Sequence, residues 1–176
     1  MALYVNKKKS IRLVKFNKNH ISKNYLKWLN NKEVKNNRNR FSKHTYPTAI
    51  KYFNKNKKSN TLFVAIEIFN GDGFVHIGNT LLIVDEHNKR GHLSIIIGEN
   101  SMKNKGIGYI VWKKMIEIAF KRFNCRLVVA GTMKSNKAMF KIFKKCCMKV
   151  IKMPNYFYLN KKNDDLIMAY LFKDKN

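Results

Sequence analysis

Carboxylates are scarce in this chain. Its 176 residues carry 10 Asp and Glu against 37 Lys and Arg, a formal charge of +27 before any histidine protonates. Proline occurs at only 2 positions. No stretch reaches the roughly 18 consecutive apolar residues that a membrane span needs. Cysteine is limited to Cys125, Cys146 and Cys147, an odd number without CxxC spacing. Adjacent residues on a helix point about 100° apart, so neither a disulfide framework nor a zinc or other metal site is indicated. The thiols read as reduced and mostly buried. The opening MALYVNKKKS has no apolar h-region for secretion, which predicts a cytoplasmic protein with no membrane partner. Apolar material, by contrast, is ample. With 45% hydrophobic and 12% aromatic residues there is enough for a core, so the missing acids do not mark a disordered tail. The length suits a single domain over residues 1–176.

The positive charge is made of 31 Lys and only 6 Arg, scattered along the whole chain among many Asn. Nucleic-acid readers concentrate Arg where bidentate phosphate or guanine contacts are made, so the scatter argues against nucleic acid as a partner. An A+T-rich coding sequence would favour Lys and Asn codons and leave solvated Lys on every surface. Such a surface still draws in anions, phosphorylated cofactors and substrates among them.

Hydrophobic periodicity orders the elements. Ile11 to Phe16 alternates as a first strand, and Asn17 and Asn19 offer cap chemistry before a helix in YLKWLNNKEV that the Asn30-Asn31 pair ends or bends. Lys35 to Tyr46 reads as polar and irregular, and Pro47-Thr48 opens a short helix to about Asn54. Leu62 to Phe69, Val75 to Val84 and His92 to Ile97 then form three β-rich runs separated by NGDG and DEHNKRG, an antiparallel meander. A long helix follows from Gly106 to about Phe123, with Ile107, Val111, Met115 and Ile118 on one face. Arg126 to Met133 is a fully apolar strand, Ser135 to Cys147 an amphipathic helix, and Asp165 to Phe172 a closing strand. The order β α α β β β α β α β β, with no repeat or linker, predicts one α/β domain on a mixed sheet.

Chemistry concentrates in HLSIIIGENSMKNKGIGYIVWKKM, where a buried strand runs through Lys103-Asn104-Lys105-Gly106-Ile107-Gly108 straight into a helix. A helix start leaves about four backbone N–H groups without partners and carries roughly half a positive charge, so glycines that admit close approach make a cradle for a pyrophosphate. Lys103 and Lys105 add counter-charge. No GxxxxGK[ST] is present, and a dinucleotide GxGxxG would need glycine where Val111 stands.

Lys103 to Gly108 resembles the Q/R-x-x-G-x-G/A loop of the GCN5-related N-acetyltransferase (GNAT) family, with Lys103 at the usual Gln or Arg. SNKAMFKIFKKCCMK resembles that family's next motif, with Asn136 as its Asn, Phe143 at its aromatic and Cys147-Met148 at its Gly-Phe. The front half, YLKWLNNKEV included, is similar to the branch holding RimJ/RimL-type and nucleotide-sugar acetyltransferases. The resemblance implies a mostly antiparallel sheet flanked by helices, with a splay between the fourth and fifth strands, and acetyl-CoA as co-substrate. It implies that unpaired backbone groups of the two splayed strands grip the pantetheine arm. An N–H among Ile97, Gly98 and Glu99 is then expected to bond the thioester carbonyl. Asn136 either bonds the arm or caps its own helix.

The same resemblance implies acetyl transfer to a primary amine. Where the family often has a tyrosine acid this chain has Phe143, so Tyr156 or Ser94 substitutes or the thiolate leaves unaided. His92, Ser94 and Glu99 are candidates for the base. Arg38, Arg40 and His44, in the loop that shapes the acceptor pocket in this family, are expected to hold a substrate phosphate, and the leading acceptor is a nucleotide-linked amino sugar. A protein N-terminus is the alternative acceptor, and a homodimer is compatible with the architecture. From other classes, a basic nucleic-acid binder or an inactive CoA-binding relative remains open.

Overall fold

The alternating runs of the sequence become neighbours in one sheet. The computed structural model describes residues 3–6, 10–38, 42–159 and 162–174, giving only the backbone for residues 3–6, 36–38, 157–159 and 162–164. The strands are β1 (Leu3–Asn6), β2 (Ile11–Lys15), β3 (Thr61–Phe69), β4 (Phe74–Asp85), β5 (Arg90–Ile97), β6 (Leu127–Met133), β7 (Lys149–Leu159) and β8 (Lys162–Phe172). The helices are α1 (Lys23–Asn30), α2 (Lys32–Arg38), α3 (Tyr46–Lys55), α4 (Ile107–Lys121) and α5 (Lys137–Lys145). The sheet order is β1-β2-β3-β4-β5-β6-β8-β7, antiparallel throughout except for the parallel pair β5 and β6.

Short polar side chains set the boundaries. Ser22 accepts the Tyr25 N–H at 3.1 Å to start α1, and Thr45 and Thr48 form a reciprocal capping box for α3, whose first turn holds Pro47. Asn70 accepts the N–H groups of Asp72 and Gly73 and closes the β3–β4 hairpin. The expected irregular stretch after Lys35 is partly helical, because α2 continues to Arg38. Asn31 explains this: its side chain accepts the Glu33 N–H at 2.9 Å and its carbonyl accepts the Lys35 N–H at 2.9 Å, so the pair that ends α1 also starts α2. Strand β1 is an addition to the expected order.

Strand side chains alternate between two faces, and each face has its own core. On the back face, α4 and α5 cover Val64, Ile66, Leu82, Leu93 and Val128 with Val111, Trp112, Met115 and Phe143. On the front face, Phe63, Ala65 and Leu81 pack under Tyr25, Trp28, Leu29 and Ala49 of α1 and α3.

Register places the site. β5 and β6 pair only at Arg90–Leu127, Gly91–Val128 and His92–Val129, after which the two strands part. The Gly98 N–H bonds the Ile77 carbonyl at 2.9 Å, continuing by one step the Gly78–Ile97 register of β4 and β5. Main-chain groups alternate sides along a strand. Ile96 and Ser94 therefore turn theirs toward β4, in keeping with the Thr80 hydroxyl that donates to the Ser94 carbonyl at 2.7 Å. Ile95 and Ile97 turn theirs toward the gap beside β6.

Candidate active site at the splayed strands

A cavity of about 1020 Å³ follows this gap and reaches both faces of the sheet. Its back wall is the loop before α4 together with α5, represented by Gly106, Gly108, Ile142 and Phe143. Its front wall includes Tyr25, Leu29, His44, Tyr52 and Asn79, with His92, Ser94 and Ile96 along β5.

The back wall has the form of an anion cradle. Asn104 (φ 60°) and Gly106 (φ 78°) are both left-handed, which turns the chain sharply into α4. No side chain caps α4. Its first N–H groups point along the axis with the positive end of the helix dipole behind them. Lys103, Asn104, Gly106, Ile107 and Gly108 all line the cavity, whereas Lys105 does not. A Cβ on Gly108 would lie 3.1 Å from the Ile142 side chain, so this glycine also lets α5 close on α4. The Lys103 ammonium is bonded to the Glu33 carboxylate at 2.7 Å, which ties the loop to α2 across the cavity. These residues fit a diphosphate: backbone donors, a dipole and a nearby cation.

Several expected roles need correction. Gly98 and Glu99 both donate their N–H groups to the Ile77 carbonyl, at 2.9 and 3.1 Å, so neither amide is free for a thioester; of the three expected donors, only Ile97 turns toward the gap. The Glu99 carboxylate accepts from the Ser101 N–H and hydroxyl, capping the turn Asn100–Met102, and does not line the cavity. That disposition argues against Glu99 as base. Tyr156 is 54% exposed on edge strand β7 and also lies outside the cavity lining, which removes it as the substitute acid. Asn136 accepts the Met139 N–H at 3.1 Å and donates to the Thr132 hydroxyl at 2.9 Å, so it serves as the cap of α5. Phe143 is fully buried against Trp112 while still lining the cavity. Of the thiols, only Cys125 is buried; Cys146 is half-buried and Cys147 exposed, contrary to the expectation of mostly buried cysteines.

His92 and Ser94 stand side by side on the front face of β5 and line the cavity. His92 ends the paired part of β5 and β6. Although the residue is exposed overall, loss of water around its ring lowers its pKa, helped by the Arg90 charge, and keeps the imidazole neutral at pH 7. His44 also lines the cavity, its backbone held on both sides by the Asn30 side chain at 2.9 and 2.8 Å. Arg38 is described only in its backbone, at the end of α2, and Arg40 lies outside the described residues. Among described lining residues, Glu33 is the only carboxylate, against Lys43, Lys103, Lys141 and Lys145. Sequence reasoning passed over Asn79, a buried polar residue that stands between Gly78 and the equally buried Thr80 ahead of the apolar run Leu81–Val84.

The splayed strands, the loop entering α4 and the cavity between them describe an acyl-transfer fold, and the family comparison agrees. Residues 10–149 match the model of the acetyltransferase (GNAT) domain, and the chain belongs to that family. It is an N-acetyltransferase with acetyl-CoA as co-substrate. Among solved structures, it is similar to the spermidine N-acetyltransferase of Vibrio cholerae in complex with CoA and spermine, with TM-score 0.82, 14% identity and coverage of 93% of this chain and 95% of that one. It is also similar to the Salmonella typhimurium acetyl transferase that modifies the N-terminal serine of ribosomal protein L7/L12, with TM-score 0.80, 15% identity and coverage of 99% and 100%. A third is the microcin C7 self-immunity acetyltransferase MccE in complex with acetyl-CoA and AMP, with TM-score 0.75, 14% identity and coverage of 96% and 94%. No curated protein sequence matches. No helix among the described residues is long and apolar enough to cross a membrane.

Proposed function

We propose that the acceptor is a primary amine on an anionic carrier, and specifically an amino sugar linked to a nucleotide. The observation that favours this is the charge of the described cavity lining as a whole, four lysines against one carboxylate that is paired with Lys103; Lys103, Lys141 and Lys145 stand on the back wall and Lys43 on the front. Such a lining repels a polycation such as spermine and attracts a diphosphate. MccE, in complex with acetyl-CoA and AMP, supports the idea that this fold has room for a nucleotide as well as the coenzyme. The notion of a protein N-terminus draws on the likeness to the L7/L12-modifying enzyme. The described cavity lining has no acidic groove that would attract a free α-ammonium group.

Transfer forms one C–N bond and breaks one C–S bond, and the proton lost by the amine must leave the nitrogen. The amides at the start of α4 hold the diphosphate, and the main-chain groups of Ile95 and Ile97 hold the arm as an added strand would. The Ile97 N–H is the donor best turned to the thioester oxygen, where negative charge develops. His92, neutral at pH 7, takes the amine's proton directly or through Ser94 or water. Phe143 has no proton to give, so the thiolate leaves without an acid and is protonated by solvent.

Release of the CoA thiol with UDP-glucosamine, an N-terminal seryl peptide and spermidine tests the acceptor class. UDP-glucosamine is expected to give the highest kcat/KM, with a KM that rises with salt, and spermidine the lowest. A seryl peptide in first place would replace the nucleotide-sugar reading. Tight acetyl-CoA binding without turnover on any amine would point to an inactive relative.

A further inference from the structure

The front wall holds a polar group that neither the cofactor grip nor the proton path uses. Asn79 lies in the middle of β4, opposite Ile96 of β5, and is 9% exposed. Its side-chain oxygen Oδ1 is buried without a hydrogen-bond partner among the described residues, and the residue lines the cavity. Alternation puts Asn79 on the same face as Leu81, under α1 and α3, beside the apolar side chains of Ala65, Leu81 and Ile96. A leucine or valine would fill such a position without leaving an oxygen unbonded, so the amide is costly unless something in the cavity donates to it.

The donor's identity follows from position. The coenzyme's path runs along the β6 side of β5 and over the back wall, whereas Asn79 is one strand further on and faces the opposite side. A thioester has no hydrogen to offer. An attacking amine does, since a neutral primary amine carries two N–H bonds and needs only its lone pair for the carbonyl carbon. Resting on the acetyl-transfer reading of this cavity, we infer that the Asn79 amide turns its Oδ1, enclosed from solvent in this structure, into the cavity as the acceptor enters, accepts one N–H of the acceptor amine and so directs its lone pair toward the thioester beside Ile97. Asn79 is thereby a specificity-determining residue for the acceptor. It selects a nitrogen with hydrogen to donate, whatever carrier bears it.

The test compares Asn79→Leu and Asn79→Asp with the wild type, using whichever of UDP-glucosamine, seryl peptide and spermidine turns over fastest. Asn79→Leu is expected to raise the acceptor KM at least tenfold, to leave the acetyl-CoA KM within twofold, and not to lower the melting temperature. Asn79→Asp is expected to restore the acceptor KM but to lower kcat more than tenfold, because a carboxylate holds the ammonium form whose lone pair is taken. In parallel, UDP-glucosamine titrated into CoA-loaded protein is expected to shift the Asn79 side-chain amide signals in a ¹H–¹⁵N spectrum. An unchanged acceptor KM in Asn79→Leu would overturn the inference. A rise in the acetyl-CoA KM instead would do so too, by assigning Oδ1 to the coenzyme's own amides. With no turnover on any amine, an unshifted Asn79 signal overturns it. Failure of the anionic-carrier reading is distinct: there spermidine or the peptide becomes the best substrate, and the Asn79 variants still change its KM.

Discussion

The two walls of the cavity are built from different material. The back wall is main chain: the left-handed turn at Gly106, the uncapped start of α4 and the parted edge of β5 present amides whose positions depend little on side-chain identity. The front wall is side chains gathered from α1, the segment before α3, β4 and β5, as Tyr25, His44, Asn79 and His92 illustrate. One wall suits a ligand that every relative shares, and the other can be changed residue by residue without disturbing the first. Just outside the cavity lining, at the end of β5, the Trp28 ring of the front-face core lies so closely over Gly98 that a Cβ there would collide with it.

That contact gives the largest expected effect. Gly98→Ala drives a methyl group into a buried ring that cannot yield, and a loss of about 3 kcal/mol is expected in urea unfolding. Both walls should fail together, with poorer acetyl-CoA binding and poorer acceptor binding; stability at the wild-type level would mean the walls are not coupled here. Next in size is Gly106→Glu, which adds a negative charge and a side chain at a left-handed position of the cradle. Acetyl-CoA affinity should fall by about 10- to 100-fold, the equivalent of roughly 1.4–2.7 kcal/mol. Unchanged affinity in calorimetry would remove the loop from the diphosphate site. Acceptor kinetics at saturating acetyl-CoA should change little, which separates the walls.

The difference between the walls also explains what could be read from the sequence. Main-chain devices leave a trace because they need particular residues: glycine at 106 and 108, period-two runs for the meander, an apolar run for β6. The expected strands and helices therefore agree with the structure to within a few residues. Side-chain walls leave little trace, since their members are far apart in sequence. Glu99 looked well placed from its position beyond β5, but the double bond of Gly98 and Glu99 to one carbonyl bends the strand end, and its carboxylate serves the next turn. Asn136 sits where the family motif has its Asn; its side chain caps α5 while the residue also lines the cavity. The last part of α2 reads as irregular because KNNR carries no apolar residue, and Asn31, which starts this helix, supplies the break that the Asn30-Asn31 pair suggests.

The front face also holds a half-buried imidazole. His76 packs among Trp28 and His20, with ring centroids 5.1 and 5.0 Å away, and its Nε2 is enclosed without a hydrogen-bond partner among the described residues. Burial first, then the charge of nearby His20, lowers its pKa from 6.5 to about 4. The unfolded chain takes up this proton near pH 6.5 while the folded chain resists until about pH 4, so stability is complete above that window and falls as pH drops through it. A loss of about 2–3 kcal/mol is expected from this group by pH 4. His76→Phe should flatten that part of the pH–stability curve; an unaltered slope would assign the loss to other groups.

The smallest effect lies on the back face and asks whether its geometry is set by the main chain. Cys147 follows α5 in the left-handed region (φ 54°), where the family motif has glycine. The Met148 N–H reaches back to the Phe143 carbonyl at 3.0 Å, closing the helix end in a Schellman arrangement. This turn delivers Met148, 5% exposed, to the Trp112 N–H at 3.3 Å, directly behind the cavity. The conformation is thus imposed on a residue with a Cβ that disfavours it. Cys147→Gly should relieve the strain and raise stability by about 1 kcal/mol in urea unfolding, with acetyl-CoA and acceptor KM values unchanged. A gain accompanied by altered acceptor kinetics would show that the side chain at 147 reaches the front wall, and would break the division between a main-chain wall and a side-chain wall.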